Sequence, residues 1–134
     1  MRISAGERFT WFPIGFVFLA CIATLGGLFW MSRSAVDGVL DASWTAPTTN
    51  ADGSPLTDLA SYRVYYGTTN SPCPGGPFLT VASSTARPAS DQKVSVRLTG
   101  LTVGQLYYVA ITTVNSRGVW SGCTPAASAR ARRP

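Results

Sequence analysis

The stretch that decides the fold lies at residues 98–118 and reads LTGLTVGQLYYVAITTVNSRG. Its central residues alternate between two sets, Tyr107, Val109 and Ile111 in one and Tyr108, Ala110 and Thr112 in the other. Because successive side chains of a β-strand point to opposite faces, this period of two predicts a strand with one buried face. Glycines at positions 100, 104 and 118 indicate turns on both sides of it.

The same alternation recurs on both sides of this stretch. It appears at residues 40–44, 62–66 and 94–98, and shorter strands are predicted at 78–81 and 126–129. No helical period follows residue 32, so the pattern favours an all-β, antiparallel sandwich. The predicted inward-facing core residues are Trp44, Tyr62, Val64, Tyr107, Val109 and Ile111.

Three segments together resemble a fibronectin type III domain, a member of the immunoglobulin-like class of sandwiches. They are WTAP at residues 44–47, YRVYYG at 62–67, and the stretch at 98–118. The resemblance covers residues 38–129 and implies that Tyr107 is a tyrosine-corner residue, its hydroxyl bonded back to the backbone. Residues 45–56 are similar to domains common in bacterial envelope proteins. The family's first strand is expected to be short or missing, since only residues 32–37 are left to form it.

The N-terminal part of the chain has a different composition. Residues 9–31 carry no charge, and as a helix of about 34 Å they could cross a hydrocarbon core of about 30 Å. Arg2 and Arg8 precede this run, whereas Arg33 is followed by Asp37 and Asp41. The positive-inside rule then predicts a single-pass signal anchor with a cytoplasmic N-terminus and an extracytoplasmic domain in the periplasm or at the cell surface. The alternatives are a cleaved secretory signal and lipidation at Cys21.

The predicted organisation therefore has five parts. They are an N-terminal cytoplasmic flank at 1–8, a transmembrane helix at 9–31, a linker at 32–37, the sandwich domain at 38–129 and a basic tail at 130–134. The tail contains Arg130, Arg132 and Arg133, and it is expected to be solvated. Contact of this tail with anionic lipid, polysaccharide or nucleic acid is the alternative.

Composition excludes several classes of function. The chain has no His, so we expect no Ser-His-Asp or Cys-His catalysis, no metal site and no cofactor. The acids beyond the apolar run are all Asp, and their spacing indicates no catalytic pair. The net charge of +5 is scattered, so no specific nucleic-acid binding is expected.

Two of the three cysteines lie near predicted strand ends. Cys73 follows the strand at 62–66, and Cys123 follows the strand at 107–112. In the fibronectin type III sandwich these strands are neighbours in one sheet, so the resemblance implies a Cys73–Cys123 disulfide and an oxidising compartment. Two free thiols are the alternative.

A binding surface is predicted where aromatic side chains lie beside cations on the outer face. The candidate residues are Arg63, Tyr65, Tyr108, Arg117 and Trp120. Such a surface suits stacking on sugars or a protein hot spot. The alternative is that Tyr65 and Tyr108 form an ordinary cross-strand pair while Trp120 shields the disulfide.

The sequence thus predicts a non-catalytic, membrane-anchored module for binding, adhesion or assembly, with a protein or glycan partner on its outer face. The alternatives are a secreted carbohydrate-binding module and an accessory subunit of an envelope enzyme complex.

Overall fold

The structure is a computed structural model that describes residues 2–4 and 37–134. The predicted membrane run at 9–31, with most of its flank and most of the linker, lies outside the described residues. Within the described residues, no helix is long and apolar enough to cross a membrane. The elements are β1 (Arg2–Ser4), β2 (Gly38–Thr45), β3 (Leu59–Gly67), β4 (Phe78–Ala82), β5 (Lys93–Leu101), β6 (Leu106–Asn115) and β7 (Ala127–Arg130).

The strands form two antiparallel sheets. One has the order β1-β2-β5 and the other the order β4-β3-β6-β7. In the four-stranded sheet Tyr62 lies opposite Thr113 and Val64 lies opposite Ile111, so alternate residues of β3 and β6 share the inward face. The prediction of an antiparallel sandwich is confirmed, and each of the six predicted strands is present.

The core lies between the two sheets. It consists of Leu40, Ala42, Trp44, Ala46, Leu59, Tyr62, Val64, Leu98, Leu101, Val109, Ile111 and Ala131. Trp44 of β2 and Tyr62 of β3 meet edge to face with their ring centroids 5.1 Å apart. This contact joins the sheets, because each ring is supplied by a different one. Five of the six predicted core residues are buried, and Tyr107 is partly buried against them.

The first strand of the three-stranded sheet comes from an unexpected place. Arg2, Ile3 and Ser4 form β1 and pair with Ser43, Ala42 and Asp41 of β2. Ile3 packs partly buried against the core, which is the physical reason for the pairing. The sequence predicts a first strand that is short or missing at residues 32–37. The three-residue strand comes instead from residues 2–4, which the predicted organisation places in the N-terminal flank.

The chain end is more ordered than the predicted basic tail. β7 ends at Arg130, Ala131 is 4% exposed, and Arg132 exchanges backbone hydrogen bonds with Val39. Arg132 also donates to Asp41 at 2.6 Å. The domain therefore extends beyond residue 129, since Ala131 fills the core and Arg132 pairs with β2.

Asp41 of β2 holds two arginines from different parts of the chain. Arg97 of β5 donates to its carboxylate through Nε at 2.7 Å, and Arg132 donates to the other oxygen. The hydrogen bond from Arg97 is the main reason that the pKa of Asp41 lies below its ordinary value, with the Arg132 contact adding to it. The ionised carboxylate therefore contributes to folding.

We expect Asp41→Asn to lower the free energy of unfolding at pH 7 by about 1 kcal/mol, a modest value because the pair is partly exposed. The folded-state pKa is depressed, so this contribution is present above the unfolded pKa of about 4 and is lost as the pH falls through the folded value. Urea melts at pH 7 and near pH 2 test it. A difference between the wild type and Asp41→Asn that persists at the lower pH would contradict the assignment.

The tyrosine corner is present before β6. The backbone N–H of Thr102 donates to the Tyr107 hydroxyl at 3.0 Å. Gly104, in the turn between them, has a φ of 83°, a left-handed conformation that favours glycine. The hydroxyl therefore ties the turn to the first residues of β6.

We expect Tyr107→Phe to lower the free energy of unfolding by about 1–2 kcal/mol, because the partly buried Thr102 N–H loses its acceptor. Tyr108→Phe is the matched control and should change stability little, since Tyr108 does not form the corner. Urea melts of both variants make the comparison, and equal losses would show that the corner bond contributes nothing of its own.

Candidate functional site

The outer face of the four-stranded sheet carries a cation between two aromatic rings. The guanidinium carbon of Arg63, on β3, lies 5.0 Å from the centroid of the Phe78 ring and 5.5 Å from that of Trp120. Both distances fall within the range of cation–π attraction. We call these three residues the aromatic platform.

Register places the two flanking rings on opposite sides of Arg63. Phe78 begins β4 and lies opposite Tyr65, so it faces outward as Arg63 does. Trp120 reaches the same face because it forms an isolated antiparallel bridge with Val114 of β6, which also pairs with Ser61 of β3. The three side chains therefore come from three separate chain segments and meet only in the folded sheet.

The position of Trp120 depends on the turn after β6. The side-chain oxygen of Asn115 accepts from the backbone N–H groups of Arg117 at 3.1 Å and of Val119 at 2.9 Å. Gly118 has a φ of 80°, which glycine adopts without steric cost. Ser121 then accepts from the Thr113 N–H at 2.9 Å, so the chain returns along β6 with Trp120 held at its edge.

The charge of Arg63 meets no opposite charge among the described residues. Within the described residues no carboxylate lies within 4.0 Å of its guanidinium, whereas Arg97, Arg117 and Arg132 each meet an Asp. Phe78 and Trp120 are each 47% exposed. The platform thus offers a ligand an unpaired cation and two accessible ring surfaces.

Tyr65 does not belong to this surface. Alternation places it on the outer face correctly, but its side chain is 1% exposed. Phe78 covers one side, with the two ring centroids 5.2 Å apart. The residue opposite Tyr65 on β6 is Ala110, which lies under the loops that carry the two cysteines. The prediction that Tyr65 contacts a ligand is therefore wrong, because loop packing buries it.

The predicted disulfide is confirmed, and it closes these loops over the sheet. The Cys73 and Cys123 sulfurs are bonded, and the two Cα atoms lie 6.1 Å apart. Residues 70–73 and 123–126 line a small cavity of about 230 Å³ above Ala110. Thr124 fastens the second loop to β6, because its hydroxyl accepts from the Ile111 N–H at 2.9 Å. We call these two joined loops the disulfide strap.

Tyr108 and Arg117 lie away from the platform. Tyr108 is half-buried opposite Gly67 and Ser128, four residues along β6 from the Thr112 that faces Arg63, or about 13 Å. Arg117 is exposed and lies 3.8 Å from the Asp58 carboxylate. Of the five predicted binding residues the structure thus brings together only Arg63 and Trp120.

Phe78 completes the platform and was not among the predicted binding residues. The sequence places it at the start of a short predicted strand, where an aromatic residue is ordinarily read as core. Its exposure follows from the position of β4 at the edge of the sheet. An aromatic residue at the first position of a short strand, directly after a proline, is the signal that could have identified it.

A second concavity opens between the loop that follows β2 and the segment that leads into β7. It has a volume of about 700 Å³, and its lining includes Trp44, Pro47, Ile111 and Pro125. Among the described residues, the side chains that line it are uncharged, and Thr, Ser and Asn lie among the apolar ones, so it would suit an uncharged ligand. In the part of the chain that the structure describes, no three His, Cys, Asp or Glu side chains cluster to form a metal site.

Comparison with known proteins finds a family match. A family model described as fibronectin type III domain matches residues 32–126. Among solved structures, the third fibronectin III domain of the human KIAA0343 protein is similar at 16% identity and a TM-score of 0.42, covering 72% of this chain and 73% of that one. No curated protein sequence is similar enough to be matched.

Proposed function

Because this chain belongs to the fibronectin type III family, whose domains are commonly binding or adhesion modules and generally non-catalytic, we propose that it is a non-catalytic binding module. Its contact surface is the aromatic platform of Phe78, Arg63 and Trp120. One observation carries the proposal: an arginine without a carboxylate partner among the described residues is held between two half-exposed rings.

The chemistry of the platform selects a carboxylate beside an apolar or sugar face. A guanidinium presents paired N–H donors that match the two oxygens of a carboxylate. The two rings supply large rigid area at low entropic cost, and the C–H faces of a sugar or an aliphatic side chain can stack on them. Acidic polysaccharides combine both features, and a protein partner combines them where an acidic residue adjoins an apolar one.

Membrane attachment through residues 9–31 is part of the proposal and rests on their length and apolar composition. A single span there would put residues 2–4 on the opposite side of the membrane from β2. The anchored form therefore excludes the β1–β2 pairing, and the two are alternative states of the N-terminus. N-terminal sequencing of membrane-extracted protein tests attachment, and a mature chain starting after residue 31 would refute it in favour of a secreted module.

The binding proposal is tested with the full chain in detergent on an array of acidic polysaccharides, neutral polysaccharides and acidic peptides. We expect binding to carboxylated ligands, reduced about tenfold or more by Trp120→Ala or Arg63→Gln, as for a central anchor. Arg87→Gln is the matched control, since Arg87 is exposed and lies in the loop between β4 and β5. Full binding by both platform variants would contradict the assignment of the platform as the contact surface.

A further inference from the structure

β4 is an edge strand with little protection against pairing. Among the described strands it pairs only with β3, in a register without a bulge. Its sequence FLTVA contains no charge, and Phe78 and Leu79 are 47% and 40% exposed. Natural sheets usually guard such edges with charges, prolines or bulges. The long edge strand β5 of the other sheet follows that rule, since it carries Lys93 and Arg97.

Two backbone hydrogen bonds define which groups of β4 face outward. Ser83 N–H donates to the Ala60 carbonyl at 2.9 Å, and Tyr66 N–H donates to the Pro77 carbonyl at 3.3 Å. In an antiparallel pair the residues that exchange bonds alternate with residues that do not. Positions 77, 79, 81 and 83 therefore point their backbone groups toward β3. It follows that Phe78, Thr80 and Ala82 direct theirs away from the sheet.

We propose that β4 pairs antiparallel with β4 of a second copy of this chain, about a two-fold axis at Thr80. This register places the outward backbone groups of Thr80 opposite those of the second copy's Thr80, and those of Phe78 opposite those of Ala82. All three outward-facing positions then find partners in each copy. The four-stranded sheets of the two copies then form one continuous sheet. The two-fold axis at Thr80 sets the register of this pairing.

The side chains of β4 are self-complementary in that register. On the inward-facing side, Leu79 lies beside Val81 of the second copy, so two aliphatic residues cover each other. On the outer side, the large Phe78 lies beside the small Ala82 and Thr80 lies beside Thr80. Cross-strand aromatic, aliphatic and Thr–Thr pairs of this kind are favourable.

Charge does not oppose the pairing. β4 has no charged residue, and the nearest cation on the outer face is Arg63, opposite Thr80 on β3. The two Arg63 backbones would be three strand spacings apart, about 14 Å, which exceeds the screening length of about 8 Å at physiological salt. Each guanidinium lies between Phe78 on the axis side and Trp120 on the other side, both of its own chain, so these contacts hold it short of the axis.

The interface is small, so the dimer is weak. A five-residue strand is only about 17 Å long, and its pairing buries less than the area of about 1,200 Å² at which stable interfaces begin. We therefore expect association at high local concentration, such as at a membrane surface. The dimer would present two aromatic platforms on one face of the joined sheet, but its formation does not depend on what the platforms bind.

Charge variants at the axis test the proposal. A tagged full-length chain in detergent is used to capture an untagged copy. Thr80→Lys should weaken self-capture by up to about fivefold at low salt, because like charges then lie opposite each other. Thr80→Glu should weaken it less, because its carboxylate can pair with Arg63 opposite it on β3. Mixing Thr80→Lys with Thr80→Glu should restore capture to about the wild-type level or above it. Ser95→Lys and Ser95→Glu, on the exposed edge of β5, are the matched controls and should have no such effect.

Thr80→Pro is a second, independent variant. Its N–H faces away from β3, so proline is tolerated at this edge, while the central pair of intermolecular hydrogen bonds is lost. We expect capture to fall about tenfold or more. Three results would overturn the proposal: no self-capture by the wild type at any concentration, Thr80 variants that capture as the wild type does, or a Lys and Glu mixture that stays as weak as each variant alone. Each variant is first checked for a native thermal melt.

Discussion

Replacing both cysteines of the strap, in the variant Cys73→Ala/Cys123→Ala, is expected to lower the free energy of unfolding by about 4 kcal/mol. The bond closes a loop over a sequence separation of 50 residues, and in the chain-entropy account such a loop restricts the unfolded chain by about that amount. Small domains are stable by only about 5–15 kcal/mol. The reduced domain should therefore be partly unfolded at moderate urea concentrations where the oxidised domain is native.

Urea melts of the wild type with and without reductant, and of the double variant, make the measurement. Cys21→Ala is the control, because Cys21 lies outside the disulfide and its replacement should leave the melt of the domain unchanged. Reduction of the wild type should reproduce the double variant. A loss below about 1 kcal/mol would show that the strap restrains the unfolded chain far less than its loop length implies.

Replacing Tyr65 with alanine is expected to cost about 3–5 kcal/mol of stability, the range for removing a buried large aromatic side chain. Tyr65 is 1% exposed between Phe78 and the strap. The substitution would also remove the Tyr65 ring against which Phe78 packs. Tyr65→Ala should thus disturb the aromatic platform indirectly, through unfolding, and not through loss of a ligand contact.

Tyr108→Ala is the matched control, since Tyr108 is half-buried on the same side of the sheet. We expect it to lose less than half as much stability in a urea melt. A Tyr65→Ala domain as stable as the wild type would contradict the burial and return Tyr65 to the list of possible ligand contacts.

The fold follows from the sequence because its cause is local. Alternation at residues 107–112 and the turn at Gly104 specify a half-buried strand without reference to the rest of the chain, and the resemblance to fibronectin type III domains adds the tyrosine corner. The burial of Val109 and Ile111 and the bond between Thr102 and Tyr107 are the direct results.

The site follows from the sequence only in part because its causes are not local. Alternation predicts which face of the sheet Tyr65 lies on. It does not predict that the strap covers Tyr65, because the strap is formed by two loops that are far apart in the chain. The contact between Arg63 and Phe78 depends on the β3–β4 register, which no pattern within either strand fixes. The pairing of residues 2–4 with β2 is too short to leave a periodic signal.

The strap and the platform divide the outer face of one sheet. Over Tyr65 and Ala110 the strap excludes solvent, whereas around Arg63 the rings of Phe78 and Trp120 stay accessible. Rigidity beneath the platform matters for recognition, because a preorganised guanidinium loses less entropy when a ligand binds. The disulfide itself lies in the strap and not among the three side chains of the platform.

The most direct test of recognition by Arg63 is a double-mutant cycle between the protein and its ligand. Wild type and Arg63→Gln are each titrated with a captured acidic ligand and with the same ligand after its carboxylate has been replaced by a neutral group. If Arg63 binds that carboxylate, the two changes are coupled by about 1.5–3 kcal/mol, the value of a hydrogen bond to a charged group. Additive changes, with no coupling, would contradict the account.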